Sequence, residues 1–272
     1  DDYQRVLDAF ENGEPPAELR QELAVKAFSH TGAYDETISN YLSRMYFRES
    51  FPTSLVLRGI RTANLRYGEN PHQKAAVYRL AKTARSGVPG AIQIQGKPLS
   101  FNNLADTDAA VQCARALGEC GCVIVKHANP CGLASHQDQV RAYQQAYEGD
   151  SISAYGGIVG YNRIVTAASA QAMGPVFYEV VVAPDYEPEA LAVLSKKRDL
   201  RILAVDQGKE GLAYDIRPIT GGVLVQTPDS IEEDPAKWET VTNRRPTSDE
   251  LQDLAFAWKA VKHIKSNAIV FA

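Results

Sequence analysis

The sequence contains few of the features that mark membrane or nucleic-acid-binding proteins. No apolar run in its 272 residues reaches the roughly 18 needed to span a bilayer. The first residues, Asp1-Asp2-Tyr3-Gln4, do not resemble a signal peptide. We therefore expect a cytoplasmic protein with no membrane partner. The net charge of -4 argues against nucleic acid as a partner, although it allows a local cationic pocket for a small anion.

Cysteine is scarce, and its arrangement does not fit the common zinc sites. The four cysteines form no Cys-x-x-Cys pair, and they are Cys113, Cys120, Cys122 and Cys131. Three lie in or beside apolar stretches, as buried thiols do. A zinc deaminase needs His-x-Glu and Pro-Cys-x-x-Cys, and residues 130–134 supply only the first cysteine. We therefore expect no catalytic metal.

Neither Gly-x-x-x-x-Gly-Lys-Ser/Thr nor Gly-x-Gly-x-x-Gly occurs, so a dinucleotide fold is unsupported.

The composition that remains is that of an ordinary globular protein. Hydrophobic residues make up 44% of the chain, which is enough to bury one large core or two smaller ones. Residues 1–46 carry apolar side chains at helical spacing. Beyond them, β-type segments alternate with helical patterns, which predicts α/β layering with a partly parallel sheet. The predicted strands include 75–78, 122–126, 177–184, 201–205, 222–226 and 267–272, and the predicted helices include 106–117, 137–148, 188–197 and one beginning near 248.

Residues 122–127, Cys-Val-Ile-Val-Lys-His, have the pattern of a buried strand that ends in charged residues. Successive strand residues point to opposite faces, so Lys126 and His127 serve one site only if the strand stops there. We expect Pro130 and Gly132 to supply that stop. A cation beside an imidazole provides an oxyanion stabiliser and a general base. The alternative is a plain strand end, in which Lys126 reaches solvent and His127 is a boundary residue.

Polar and glycine-containing segments accompany this strand. Residues 66–73 form a dense polar cluster around Arg66, whose guanidinium suits a phosphate or carboxylate, and the alternative interpretation is a solvated turn. Gly156 precedes a strand and allows a backbone to approach a flat ligand, although a plain turn is the more frequent use. Glu179 begins the next strand, where an acidic residue is usually solvated and occasionally contacts a ligand.

The two ends of the sequence indicate neighbouring structure. The helices in residues 1–46 have an apolar face but are too few to bury it alone, so we interpret them as the closing part of another domain. Residues 267–272 read as an apolar strand with nothing after it. A natural chain rarely ends inside a buried strand, so we expect a fragment of a longer protein.

Four motifs occur in order along the chain: residues 65–73 (LRYGENPHQ), 100–104 (SFNNL), 125–132 (VKHANPCG) and 265–268 (KSNA). Together they resemble the family of bifunctional purine biosynthesis proteins. That family couples aminoimidazole carboxamide ribonucleotide (AICAR) formyltransferase to inosine monophosphate (IMP) cyclohydrolase. The resemblance spans nearly the whole chain, and four motifs in the family's order are far more specific than any one alone.

The resemblance implies both a domain division and an activity. Residues 1–50 resemble the C-terminal helices of the cyclohydrolase domain, and residues 51–272 resemble the first part of the formyltransferase domain, which has a cytidine-deaminase-like α/β fold. The implied reaction transfers a formyl group from 10-formyltetrahydrofolate to the amine of AICAR, in a homodimer whose small-molecule partners are a nucleotide and a folate. The alternative is a nucleotide-binding or assembly fragment without turnover of its own.

The resemblance also implies roles for individual residues. His127 would be the proton acceptor and Lys126 the stabiliser of the transition state. The implied nucleotide contacts are Arg66, Tyr67, Asn103, Gly156, Glu179 and Asn267. Glu179 stands where the family often has aspartate, and Arg198 replaces a usual lysine. A thiol enzyme built on Cys131 and His127 is a weaker alternative, because no orienting acid is evident.

Overall fold

The computed structural model describes residues 2–11, 13–47, 51–80, 87–206, 214–230 and 233–272. The chain separates into two compact units, Asp1–Arg58 and Gly59–Ala272. Within the described ranges, no helix combines the length and apolar character that crossing a membrane requires.

The first unit is helical, as the apolar spacing predicts. Helix α1 spans Tyr3–Glu11 and helix α2 spans Ala17–Tyr46. The Arg5 guanidinium on α1 donates to both carboxylate oxygens of Glu22 on α2 at 2.6 Å. Arg58 pairs with Glu36 at 3.0 Å and ties the end of the unit to α2. Many large apolar side chains of α2 are exposed, among them Phe28, Tyr34, Tyr41, Met45 and Tyr46.

The second unit contains ten strands and five α-helices among its described residues. The strands are β1 (Gly59–Leu65), β2 (Ala75–Leu80), β3 (Ile92–Gln95), β4 (Gly121–Lys126), β5 (Asn129–Ser135), β6 (Ile158–Tyr161), β7 (Val180–Ala183), β8 (Arg201–Ala204), β9 (Asp215–Ile219) and β10 (Gly222–Gln226). The helices are α3 (Phe101–Ala116), α4 (Gln139–Gly149), α5 (Ala167–Ala172), α6 (Pro188–Leu194) and α7 (Ser248–Val261).

Six strands form one mixed sheet in the order β3-β8-β7-β6-β4-β5. Strands β6, β7 and β8 are parallel, whereas β3, β4 and β5 run antiparallel to their neighbours. This arrangement confirms the predicted α/β fold with a partly parallel sheet. The β1–β2 and β9–β10 pairs form separate antiparallel hairpins, so the correctly predicted strand 222–226 lies outside the main sheet.

The core lies on both faces of the six-stranded sheet. Residues 122–125 of β4 are fully buried, and alternate side chains enter opposite faces. Cys122 and Ile124 pack in the cluster that includes α4, α5 and α6 side chains. Val123 and Val125 pack in the other cluster, with Ala110 and other α3 side chains. The unit is therefore a three-layer α/β/α structure with β4 buried between helices.

Several predicted boundaries are wrong. Strand β7 begins at Val180 rather than at Phe177. Helix α3 begins at Phe101 rather than near Asp106, because Ser100 and Asn103 cap it reciprocally. The Ser100 hydroxyl accepts the Asn103 N–H at 3.1 Å, and the Asn103 side-chain oxygen accepts the Ser100 N–H at 3.2 Å. Helix α6 ends at Leu194, three residues before the prediction.

The predicted strand 267–272 is also wrong. These residues form no strand in the structure, and Ile269 and Phe271 are 83% and 95% exposed. An apolar run becomes a strand only when another strand satisfies its backbone groups. Within the described part of the chain, no strand pairs with this segment.

Candidate active site

The candidate site lies along one edge of the six-stranded sheet, where the ends of several strands meet. Val125 of β4 is paired with Ile158 of β6, and β7 and β8 continue from there in parallel register. Because β4 runs antiparallel to β6, its carboxyl end lies beside the amino ends of the other three strands. The residues met along this edge are Lys126, Gly156, Glu179 and Arg201.

A tight turn ends β4 and presents the predicted catalytic pair. Lys126 is paired with Asn129, so the chain reverses through His127 and Ala128 alone. Their φ angles are 52° and 58°, and positive φ at both central residues is what a type I′ hairpin turn requires. Left-handed backbone costs about 1–3 kcal/mol for each residue other than glycine, so the surroundings must hold it. The predicted end of the strand at Lys126 is confirmed, and this turn produces it.

The predicted stop at Pro130 and Gly132 is wrong, because both residues lie within β5. Strand β5 is at the edge of the sheet, where proline is tolerated. A register shift leaves Cys131 as an extra residue, and its thiol donates to the Ile124 carbonyl at 3.3 Å. At Gly132 a Cβ would lie 1.8 Å from the carbonyl oxygen of Ala146 on α4, so only glycine allows this close packing.

Two side chains fix the backbone of the turn. The Asp106 carboxylate on α3 accepts the Ala128 N–H at 2.8 Å. The Asn129 side chain donates to the His127 carbonyl at 3.2 Å. The His127 side chain itself is exposed, and Lys126 is half-buried. The main chain of the turn is therefore restrained while the imidazole stays accessible to a ligand.

Lys126 and Gly156 are brought together by the loop before β6. The Lys126 ammonium donates to the Tyr155 carbonyl. Gly156 follows with a φ of 71°, and a Cβ placed on it would lie 3.6 Å from the Lys126 Nζ. Glycine here serves the left-handed backbone and also leaves space beside the ammonium.

Glu179 lies on the same edge and is held by an arginine that the sequence analysis did not select. Its Oε2 lies 2.5 Å from Nη1 of Arg201, whose side chain is only 11% exposed. Arg201 also donates from Nε to the Pro98 carbonyl at 3.3 Å. The arginine thus joins Glu179 to the loop that leads into α3. The sequence signal for it was only a charged residue at the start of a buried strand.

The loop containing Arg66 and Tyr67 connects β1 to β2. The Arg66 guanidinium lies 5.0 Å from the centre of the Tyr67 ring, and Arg66 is exposed. The Glu69 carbonyl accepts from the Asn102 side chain at 3.5 Å, which places this loop beside the first turn of α3. Asn103 lies in that same turn, where its side chain also belongs to the helix cap.

No contact among the described residues brings Asn267 to the sheet edge. It is exposed after α7, and among the described residues no hydrogen bond joins it to the other predicted contacts. Its predicted role therefore rests on the sequence motif alone.

The cysteines differ in their burial. Cys113 and Cys122 are buried, as expected, whereas Cys120 and Cys131 are only partly buried. Burial raises the pKa of Cys131, and the nearby Asp150 raises it further. A thiol with a raised pKa is mostly protonated at neutral pH and is a poor nucleophile, which argues against the thiol-enzyme alternative.

In the described ranges, no group of three His, Cys, Asp or Glu side chains is placed to hold a metal ion.

Comparison with known proteins confirms the family resemblance. The family model described as "AICARFT/IMPCHase bienzyme" matches residues 1–272. A relative from Oceanobacillus iheyensis, named "Bifunctional purine biosynthesis protein PurH", is 43% identical over 272 residues, covering 100% of this chain and 53% of its own length. A protein of the same name from Thermoanaerobacter sp. is 45% identical with the same coverage. The relative from Dictyostelium discoideum is 42% identical over 94% of this chain and 52% of its own length.

The chain spans about half the length of these curated relatives. The matched region includes both units and every residue of the sheet edge. The chain belongs to the AICARFT/IMPCHase bienzyme family.

Proposed function

We propose that this chain carries formyltransferase machinery that moves a formyl group from 10-formyltetrahydrofolate to the amine of AICAR, in the synthesis of IMP. The observation that carries the proposal is the position of Lys126 and His127 at the turn that ends β4, on an edge that also holds Gly156 and Glu179. The relatives' names give purine biosynthesis, and the family description pairs the two activities. IMP cyclohydrolase is then the second activity of the whole protein.

In this proposal His127 is the general base. The aromatic amine of AICAR is a poor nucleophile, so a neutral imidazole removes its proton as the nitrogen attacks the formyl carbon. The exposed ring of His127 is accessible to such a substrate, and its backbone is restrained by the turn. The new C–N bond forms, the bond to the folate nitrogen breaks, and the proton held by His127 is available to that leaving nitrogen.

Lys126 stabilises the negative charge that develops on the former formyl oxygen. One such donor is worth about 3 kcal/mol in comparable oxyanion sites. The hydrogen bond to the Tyr155 carbonyl holds the ammonium at the sheet edge, and Gly156 leaves room beside it. The two side chains therefore act in the same step from neighbouring positions.

The nucleotide contacts extend the proposal beyond the catalytic pair. We assign them to Arg66, Tyr67, Asn103, Gly156, Glu179 and Asn267. The position of the β1–β2 loop beside α3 supports grouping its residues with Asn103. The folate cosubstrate, a homodimer and a cytoplasmic location complete the proposed properties of the whole protein.

The domain assignment is part of the same proposal. Residues 1–50 would be the C-terminal helices of the cyclohydrolase domain, and residues 51–272 the first part of a cytidine-deaminase-like formyltransferase domain. The separation of a helical unit, Asp1–Arg58, from a sheet-containing unit supports this division.

The test is steady-state formyl transfer in the complete natural protein, with AICAR and 10-formyltetrahydrofolate as substrates. His127→Ala should lower turnover by about 10²–10⁴ with nucleotide binding largely kept. Lys126→Ala should lower it through lost oxyanion stabilisation, and the double variant should be less impaired than the product of the two effects. His30→Ala, which removes an exposed histidine of α2, is the matched control. Near-normal turnover by His127→Ala would show that the pair is only a strand terminus.

The alternative function, a nucleotide-binding or assembly module, is favoured by the openness of the edge, where His127 is exposed. An assay of the purified 272-residue chain with both substrates distinguishes the enzyme from the binding or assembly module. Formylated product made from both substrates supports the enzyme, whereas nucleotide binding without product supports the module.

A further inference from the structure

The β4–β5 turn is held by a residue outside the proposed catalytic pair and the proposed nucleotide contacts. Asp106 lies on α3, 22 residues away from Ala128 in sequence, and its Oδ1 accepts the Ala128 N–H at 2.8 Å. In a two-residue turn this N–H lies outside the ladder of the hairpin, so it needs an acceptor from elsewhere. A carboxylate is a strong acceptor for it, because charge-assisted hydrogen bonds are shorter and stronger than neutral ones.

We propose that Asp106 is a positioning residue for His127, an inference that rests on the proposed function. Both central residues of the turn have positive φ, and neither is glycine. The backbone therefore tends to relax toward other conformations unless a contact holds it. The Asp106 carboxylate supplies that contact. Among the described residues, no hydrogen bond or ion pair joins Asp106 to the imidazole itself, so its effect reaches the reaction only through the backbone of the turn.

The anchor for Asp106 is rigid enough for this task. Helix α3 is capped at Ser100 and packs its buried face on the sheet through Ala110 and Ala114. The same cluster contains Val123 and Val125 of β4, which lead directly to the turn. The carboxylate thus closes a link between two elements that share one packed core. The position of His127 is fixed relative to the edge by this link as well as by the strand.

Alternatives for Asp106 make different predictions. If its role were only to stabilise the fold, removing the carboxylate would lower the unfolding temperature without changing the turnover of the folded protein. If the negative charge of Asp106 acted on the substrate, Asp106→Asn would lower turnover as much as Asp106→Ala. A positioning role requires instead that an uncharged acceptor of the same shape restores turnover.

The experiment uses the complete natural protein and compares kcat and KM at a temperature well below the unfolding midpoint. Asp106→Ala should lower kcat about ten- to a hundredfold, the range expected when a catalytic group is displaced by a fraction of an ångström to about 1 Å, with KM for the nucleotide within about twofold. Asp106→Asn keeps the side-chain oxygen and should retain most of the turnover. Asp108→Ala is the matched control, because Asp108 is exposed on the same helix and bonds to Gln112 within it.

A second-site change tests the backbone mechanism directly. Ala128→Gly removes the cost of the left-handed conformation, since glycine adopts it readily. In the Asp106→Ala background it should restore part of the lost kcat. His127→Ala is measured in the same series to separate the inference from the function on which it rests.

The outcomes are distinct. Loss in Asp106→Ala with recovery in Asp106→Asn and in the Ala128→Gly background supports the inference. Unchanged kcat in Asp106→Ala, or an equal loss of kcat in Asp106→Asn and Asp106→Ala, overturns the inference. If His127→Ala is severely impaired in the same series, the proposed function still stands. Normal turnover in His127→Ala overturns the function and the inference together.

Discussion

Replacing Gly132 with alanine should destabilise the second unit through one clash between β5 and α4. The added Cβ would lie 1.8 Å from the Ala146 carbonyl oxygen, and it would have to move at least 1.2 Å to reach the 3.0 Å that real contacts respect. Ala146 is buried with Ala142 and Tyr143 of the same helix, so α4 cannot move away without opening the core. Overpacking of this kind costs about 1–3 kcal/mol, and the backbone clash places Gly132→Ala near the upper value.

Thermal unfolding followed by circular dichroism measures this effect. For a chain of this size each kcal/mol lowers the midpoint by about 2–4 °C, so a loss of about 3 kcal/mol corresponds to about 6–12 °C. Gly118→Ala is the matched control, because a Cβ at Gly118 meets nothing within 4 Å. Its midpoint should stay constant or rise slightly, since alanine restricts the unfolded chain. Equal midpoints for the two variants would refute the predicted contact between β5 and α4.

The remaining predictions concern nucleotide binding and the pH dependence of stability. Arg66→Ala should weaken binding of the nucleotide by about 1.5–3 kcal/mol and leave a phosphate-free nucleoside almost unaffected, measured by calorimetry with both ligands; equal losses would mean that Arg66 is only structural. Burial, and then the charge of Lys262, lower the pKa of His263, against a smaller opposing effect of Asp229. In the unfolded chain this histidine has an ordinary pKa of about 6.5, so as the pH falls through that value the unfolded chain binds more protons than the folded chain. The free energy of unfolding should therefore fall as the pH drops through this range. Urea unfolding at several pH values should show a smaller fall for His263→Gln, and an unchanged slope would contradict the assignment.

The strand that presents the proposed catalytic pair could be predicted from the sequence, whereas the turn that follows it could not. A continuous apolar run such as residues 122–125 indicates a strand that is covered on both faces. The structure buries all four residues in this way. Pro130 and Gly132 are strong turn formers in isolation. They fit a strand here because β5 is at the sheet edge, carries a bulge at Cys131 and packs closely on α4. Each of these conditions is set by tertiary pairing.

The contact partners of the site residues could not be predicted from the sequence for a similar reason. Glu179 and Arg201 meet because β7 and β8 are parallel neighbours, with Val180 beside Arg201 in the register. Asp106 meets Ala128 because α3 crosses the face of β4. Sequence periodicity indicates which face of an element is apolar, but not which element lies beside it. The family motifs supplied candidate residues, and the sheet order supplies their contacts.

The arrangement around Lys126 shows why a lysine would suit the role that we propose for this position. An ammonium has three N–H donors, and the one directed to the Tyr155 carbonyl leaves two that can face a ligand. The carbonyl keeps the flexible side chain in one orientation, so less conformational entropy would be lost when the proposed oxyanion forms. Gly156 leaves the space beside Nζ open, which a compact charge can share with a ligand. A guanidinium is broader and planar, and its donors are fixed in a fork, so it would fill this space before it reached the oxygen. The proposed role therefore depends on more than charge: it also needs the compact shape of the ammonium and the absence of a side chain at Gly156.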